Sequence, residues 1–203
     1  MWRQQYKIIT LLFLTCLLCG CFGSNPTVPI RYYLIDPVDY PNSSVKAVRQ
    51  LSIEIIDLQL PQYLERFHIA TRSNESQLEF SETNQWGENL RKNLLRTMAR
   101  NLSFLLTTID ISTPLSRSAS MPDYRVQIYI DQFEQDVDKK IKLSARWQLS
   151  TTTQTEPLGV FNADLESQQT IEDGNYDQMV SVMRSLYGEL SDRIAETIVA
   201  QEQ

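Results

Sequence analysis

The sequence predicts an α/β fold of the α+β kind, a single-domain sandwich in which a mixed, largely antiparallel β-sheet carries two main helices on one face. Three observations predict it. Two long stretches, about residues 85–106 and 176–200, repeat apolar side chains at three- and four-residue steps. Three runs between residues 124 and 167 alternate apolar and polar residues. Shorter β-branched and aromatic runs precede the first helix, so the elements order as ββββαββββα.

Taken in order, residues 30–35 (IRYYLI) read as a first strand stopped by Asp36-Pro37, and a turn-rich stretch covers 39–44. Residues 51–58 form a second strand, with Leu51, Ile53 and Ile55 on one face. A Pro-initiated turn over 60–66 leads to a third strand at 67–72 and a short fourth at 77–80, joined by a hairpin at Asn74-Glu75-Ser76. The first helix is expected to start near Gln85, capped by Thr83 or Asn84, with Trp86 heading a stripe of Leu90, Leu94, Met98, Leu102 and Leu105. Residues 107–111 make a further strand, and 112–122 (STPLSRSASMP) a Ser/Pro loop.

The second half is the more regular. Tyr124, Val126, Ile128 and Ile130 face one way, and after an acidic turn at 134–139 so do Ile141, Leu143, Ala145, Trp147 and Leu149. Phe161, Ala163 and Leu165 add a third strand, giving an antiparallel meander with one wetted face. Asp173-Gly174-Asn175 ends it. Met179, Met183, Tyr187, Leu190, Ile194 and Ile198 then line the last helix.

Ahead of the domain stands a three-part segment. Arg3 and Lys7 precede an apolar run at 8–18, and Leu18-Cys19-Gly20-Cys21 closes it. That run falls short of the ~20 residues a spanning helix needs and has the layout of a secretory signal. The Leu-x-Gly-Cys ending resembles a bacterial lipobox, which implies a signal peptide at 1–20, acyl chains on Cys21, and a flexible tether at 21–29. Two or three chains hold a protein stably where one does not. Phe22, in place of a retaining aspartate after the cysteine, implies the inner leaflet of the outer membrane.

Charge and cysteine use narrow the function. Removing Arg3 and Lys7 from the 19 basic side chains leaves 17 against 25 acidic ones, a net of −8. Such a balance gives no attraction to phosphate, so nucleic acid is not expected as a partner. Cys16 and Cys19 leave with the signal and Cys21 is acylated, so the mature domain keeps no thiol; His68 is its one histidine. No cofactor, metal site or catalytic residue is expected on that inventory. Glu134, Asp136 and Asp138 lack the glycine and bidentate glutamate of a calcium loop and read as an acidic hairpin tip.

Tyr32-Tyr33-Leu34, the segment Leu60-Pro61-Gln62-Tyr63-Leu64-Glu65-Arg66-Phe67-His68-Ile69-Ala70-Thr71-Arg72, and Gln85-Trp86-Gly87-Glu88-Asn89-Leu90 together resemble the ABC-type transport auxiliary lipoproteins, the paraquat-inducible protein C family. Glu65, Phe67, Ala70, Gln85 and Gly87 depart from that family's usual residues. The resemblance covers residues 30–203 and implies a single α/β domain without enzymatic activity. It implies the outer-membrane component of an MCE-type system that moves phospholipid between two membranes. Its partners would be the MCE-domain tube protein, the inner-membrane permease system behind it and, through a possible homo-oligomeric ring, further copies of this chain.

The segment from Pro61 to Arg72 supplies the candidate partner-binding residues, Tyr63, Leu64, Arg66 and Arg72; the first three set aromatic, apolar and guanidinium groups on the turn, a mixture of the kind found at interface hot spots. The competing reading makes Tyr63 and Leu64 a plug at the end of the core and pairs Arg66 with an acid. Trp86 and Trp147 read as core residues. Two alternatives to a transport component stay open at this level. One is a tethered periplasmic hydrolase that works through carboxylates. The other is an assembly lipoprotein of another envelope machine.

Overall fold

The computed structural model describes residues 2, 28–40, 49–117, 121–154 and 156–202. The signal segment and Cys21, most of the tether, and part of the 39–44 turn lie outside the described residues. The strands are β1 (Arg31–Tyr33), β2 (Ile53–Gln59), β3 (His68–Asn74), β4 (Gln77–Trp86), β5 (Ile111–Ser112), β6 (Tyr124–Gln135), β7 (Ile141–Thr151) and β8 (Gly159–Glu166). The helices are α1 (Leu90–Leu105) and α2 (Tyr176–Val199).

All eight described strands join one mixed sheet organised around β6. Along one side β6 pairs antiparallel with β7, which pairs with β8. Along its other side it runs parallel to β2 over its first half and meets β3 at Thr71↔Gln135. β5 extends the β2 branch, while β4 and then β1 extend the β3 branch. The antiparallel ladders are the long ones, as the alternation in the second half requires.

The predicted inward sets are the core: Val126, Ile128, Ile130, Ile141, Leu143, Trp147 and Leu149 are buried, against Leu94, Met98, Leu102, Tyr187, Leu190 and Ile194 of the helices. Their opposite neighbours, among them Arg125, Lys142 and Arg146, form ion pairs on the wetted face.

Several boundaries differ from the sequence reading, most of all at the start of α1 and ahead of β5, and the first strand stops at Tyr33 rather than at residue 35. β4 runs to Trp86, and Asn89 rather than Thr83 or Asn84 caps α1, its side chain accepting from the Lys92 N–H at 3.2 Å. The reason is tertiary: β1 pairs with residues 84–86 in parallel and holds them extended, overriding their helical spacing. Trp86 is nevertheless buried, closing the core from the strand's end. The expected strand over 107–111 shrinks to β5, with Thr107 at φ 53° in the turn before it.

After β1 the chain lies as a strap across both helices. Asn93 brackets Ile35, accepting its N–H at 2.8 Å and donating to its carbonyl at 3.1 Å; Thr97 donates to the same carbonyl at 2.6 Å. One turn on, Asn101 accepts from the Val38 N–H at 3.1 Å and donates to Ser191 of α2 at 3.0 Å. These polar residues recur every fourth position, so one helix face satisfies a buried extended backbone. Gly188 lets the strap cross α2: a Cβ there would come within 2.7 Å of Val38 Cγ2. Asn93→Leu orphans the buried Ile35 N–H and is expected to cost about 2–3 kcal/mol in urea unfolding; a loss under about 0.5 kcal/mol would show that the strap adds nothing to stability.

Candidate functional site

The turn that follows β2 begins at Pro61 and closes with Leu64 N–H donating to the Pro61 carbonyl at 2.9 Å and Glu65 N–H to the Gln62 carbonyl at 3.3 Å. Proline presets the first turn dihedral, and the bend carries the chain from β2 back onto β3. Leu64 drops into the core. Tyr63 and Arg72 converge on a residue far away in sequence, Glu134.

Glu134 is not in the expected acidic turn. It belongs to β6, pairs across to Lys142, and is fully buried. The cause is a bulge between Ile130 and Gln132. The extra residue shifts the alternation, so that Phe133 continues the core-facing set begun by Ile130, and Glu134 comes under the turn and β3. Only Asp136 to Lys139 make the hairpin tip.

Every acceptor position of this carboxylate is filled. Oε1 accepts from Arg72 Nε at 2.7 Å and Gln132 Nε2 at 3.1 Å. Oε2 accepts from the Tyr63 hydroxyl at 2.7 Å and the Phe133 N–H at 3.0 Å. Burial, reinforced by Glu134, pushes the Tyr63 hydroxyl's pKa well above its ordinary value, so it stays a donor. Burial alone would lower that of Arg72; the hydrogen bond and charge of Glu134 more than reverse this. A carboxylate whose lone pairs are all engaged cannot take a proton from a substrate. The cluster is a clasp that fastens the turn to the sheet.

The four candidates therefore separate. Tyr63 and Arg72 meet on Glu134, and Leu64 is core. Arg66 alone stays free at the surface, its guanidinium 4.7 Å from the Phe80 ring centre, and beside it Phe67 is 58% exposed. No carboxylate pairs with Arg66 among the described residues. Sequence reasoning missed Glu134. The phase break between Ile130 and Phe133 was the signal that could have exposed it.

The other residues weighed from sequence are settled by their surroundings. His68 is exposed at the start of β3 with Gln85 Nε2 3.3 Å away. Trp147 is buried, donates to Thr197 Oγ1 at 3.1 Å and stacks on Phe161 at 5.8 Å between ring centres. Among the described residues no three His, Cys, Asp or Glu side chains gather as a metal-binding group, and no helix is long and apolar enough to cross a membrane.

Residues 32–195 match the model of a family described as the ABC-type transport auxiliary lipoprotein component. Among solved structures, an uncharacterized protein superposes with a TM-score of 0.63 at 20% identity, over 84% of this chain and 99% of that one. A protein from Xanthomonas campestris superposes with a TM-score of 0.66 at 9% identity, over 86% of this chain and 95% of that one. At such identities the likeness is one of fold. No curated protein matches the chain.

Proposed function

The chain belongs to the ABC-type transport auxiliary lipoprotein family, and from that membership we propose that it is the lipid-anchored outer-membrane component of an MCE-type phospholipid transport system. Its work is positional. Acyl chains on Cys21 hold the domain at the inner leaflet of the outer membrane, and a protein face captures the end of the MCE tube protein. The inner-membrane permease drives transport from the far side. Several copies around a symmetric tube would let weak contacts act together.

The observation that supports this reading best is the clasp. It uses Tyr63 of the turn and Arg72 of β3 to pin the turn on a buried acid, leaving Arg66 and Phe67 presented on a fixed backbone. A preorganised arginine beside an exposed aromatic is a hot-spot arrangement.

Arg66→Glu tests it. Capture of the MCE-domain protein by the full-length lipoprotein should fall at least about tenfold, since a like charge at such a contact costs more than 1.4 kcal/mol. Stability should move by no more than the ~0.5–1 kcal/mol of a lost cation–π contact. Capture at the wild-type level would refute the assignment of Arg66.

A further inference from the structure

The chain enters the fold through a row of exposed apolar side chains. Val28, Ile30, Tyr32 and Leu34 occupy alternate positions, each between 42% and 68% exposed. Arg31 and Tyr33, between them, face α2: Arg31 pairs with Asp177 at 3.7 Å, and the Tyr33 hydroxyl donates to the same carboxylate at 3.0 Å. Successive side chains of a strand alternate in direction, so Ile30 and Tyr32 point away from the helices. The backbone of β1 is fixed by its parallel pairing with residues 84–86 and by the Gly87 N–H, which donates to the Tyr33 carbonyl at 2.8 Å.

The row's place in the chain and its charge bear on what covers it. Seven residues separate Cys21 from Val28, a reach of at most about 25 Å. Among the described exposed apolar side chains, these have the shortest covalent tie to the anchor. A linker this short supplies an effective concentration of millimolar order, which even a weak surface contact can use. Residues 28–35 carry one charged side chain, the basic Arg31, in a domain whose net charge is acidic. Across the sheet Tyr32 pairs with Gln85 and Gln85 with His68, so these neighbours add no carboxylate to repel anionic headgroups. Apolar residues around a tyrosine, whose ring has an apolar body and a polar tip, suit the headgroup level of a bilayer.

We propose that Val28, Ile30, Tyr32 and Leu34 seat the domain on the bilayer that holds its acyl chains, with the β1 margin of the sheet against the membrane and β8, the opposite margin, away from it. The proposal rests on the acylation of Cys21 given above. The row orients an anchored domain and does not hold an unanchored one. Four partly exposed side chains partition weakly, and the tether's effective concentration is lost with the acyl chains.

The test uses the full-length chain, purified from cells with its acyl chains and reconstituted into vesicles of phosphatidylethanolamine and phosphatidylglycerol. Acylation of Cys21 leaves no other thiol in the mature chain, so His68→Cys or, as control, Val160→Cys takes a single NBD fluorophore. His68 lies on the folded body two strands from Tyr32, about 10 Å away, so its dye reads the seated face rather than the tether. Lipids spin-labelled near the headgroup should quench the dye at position 68 and leave that at position 160 bright. Tyr32→Glu with Leu34→Glu should bring the quenching at 68 down to the level at 160, while Tyr32→Trp should keep or raise it, because a carboxylate resists the headgroup region and an indole favours it. Equal quenching at the two positions, or quenching at 68 indifferent to the double change, would overturn the seat. So would a dye shielded at 68 without lipid quenching, the mark of a protein or a second copy on that face. An acylated chain with no quenching at 68 overturns the seat and keeps the anchor; a chain recovered from cells without acyl groups overturns the anchored reading, and the seat with it.

Discussion

Glu134→Ala is expected to destabilise the domain by about 3–5 kcal/mol, the usual result when one member of a buried charge pair is removed and the other stays. The substitution strips partners from Arg72 and Tyr63 together: the Tyr63 hydroxyl loses its acceptor under cover, and the Arg72 guanidinium, 24% exposed, keeps only the Glu75 carbonyl. Urea unfolding of the wild type and the variant measures the loss. Glu134→Gln keeps the shape but points an amide N–H at groups that are themselves donors, so it should recover part of the loss only. Arg72→Met combined with Glu134→Leu removes both charges, and it should cost less than the two single changes added together. A loss below about 1 kcal/mol for Glu134→Ala would mean that the carboxylate is not what fastens the turn.

Cys21→Ser, with residues 1–20 replaced by an ordinary cleavable secretory signal, is expected to have the largest effect in the cell: complete transfer of the chain from the membrane to the soluble envelope fraction. Each buried methylene contributes ~0.8 kcal/mol, so two or three acyl chains account for stable attachment and their loss removes it. The domain's acidic balance offers no electrostatic substitute at an anionic surface. Fractionation followed by detection of the chain gives the answer. Persistent membrane attachment of that variant, its signal shown to be cleaved, would show that the folded domain holds the membrane by a surface of its own.

How far each feature could be read from the sequence follows from whether its cause is local. The meander of β6, β7 and β8 was legible because alternation at Val126, Ile128, Leu143, Ala145 and Trp147 is a property of each strand alone. The apolar stripes of both helices were legible for the same reason. The start of α1 was misread because residues 84–86 answer to β1, more than fifty positions away. The strap at 35–38 has no local signature, since Asn93, Thr97 and Asn101 look like ordinary polar helix residues until the chain they satisfy is laid against them. Of the site, the turn itself was visible in its Pro-initiated sequence. Its hinge on Glu134 was hidden because an acid two residues before Asp136 reads as part of the exposed hairpin tip. The bulge that carries it under cover shows only as a one-residue slip in the pattern from Ile130 to Phe133.

The most direct measurement is recovery of the intact, acylated chain from crosslinked cells, with identification by mass spectrometry of what comes with it. The account predicts an MCE-domain protein, recovered in smaller amount with Arg66→Glu. Recovery of a different envelope machine in its place, such as a secretin, or of the unacylated chain alone, would contradict it.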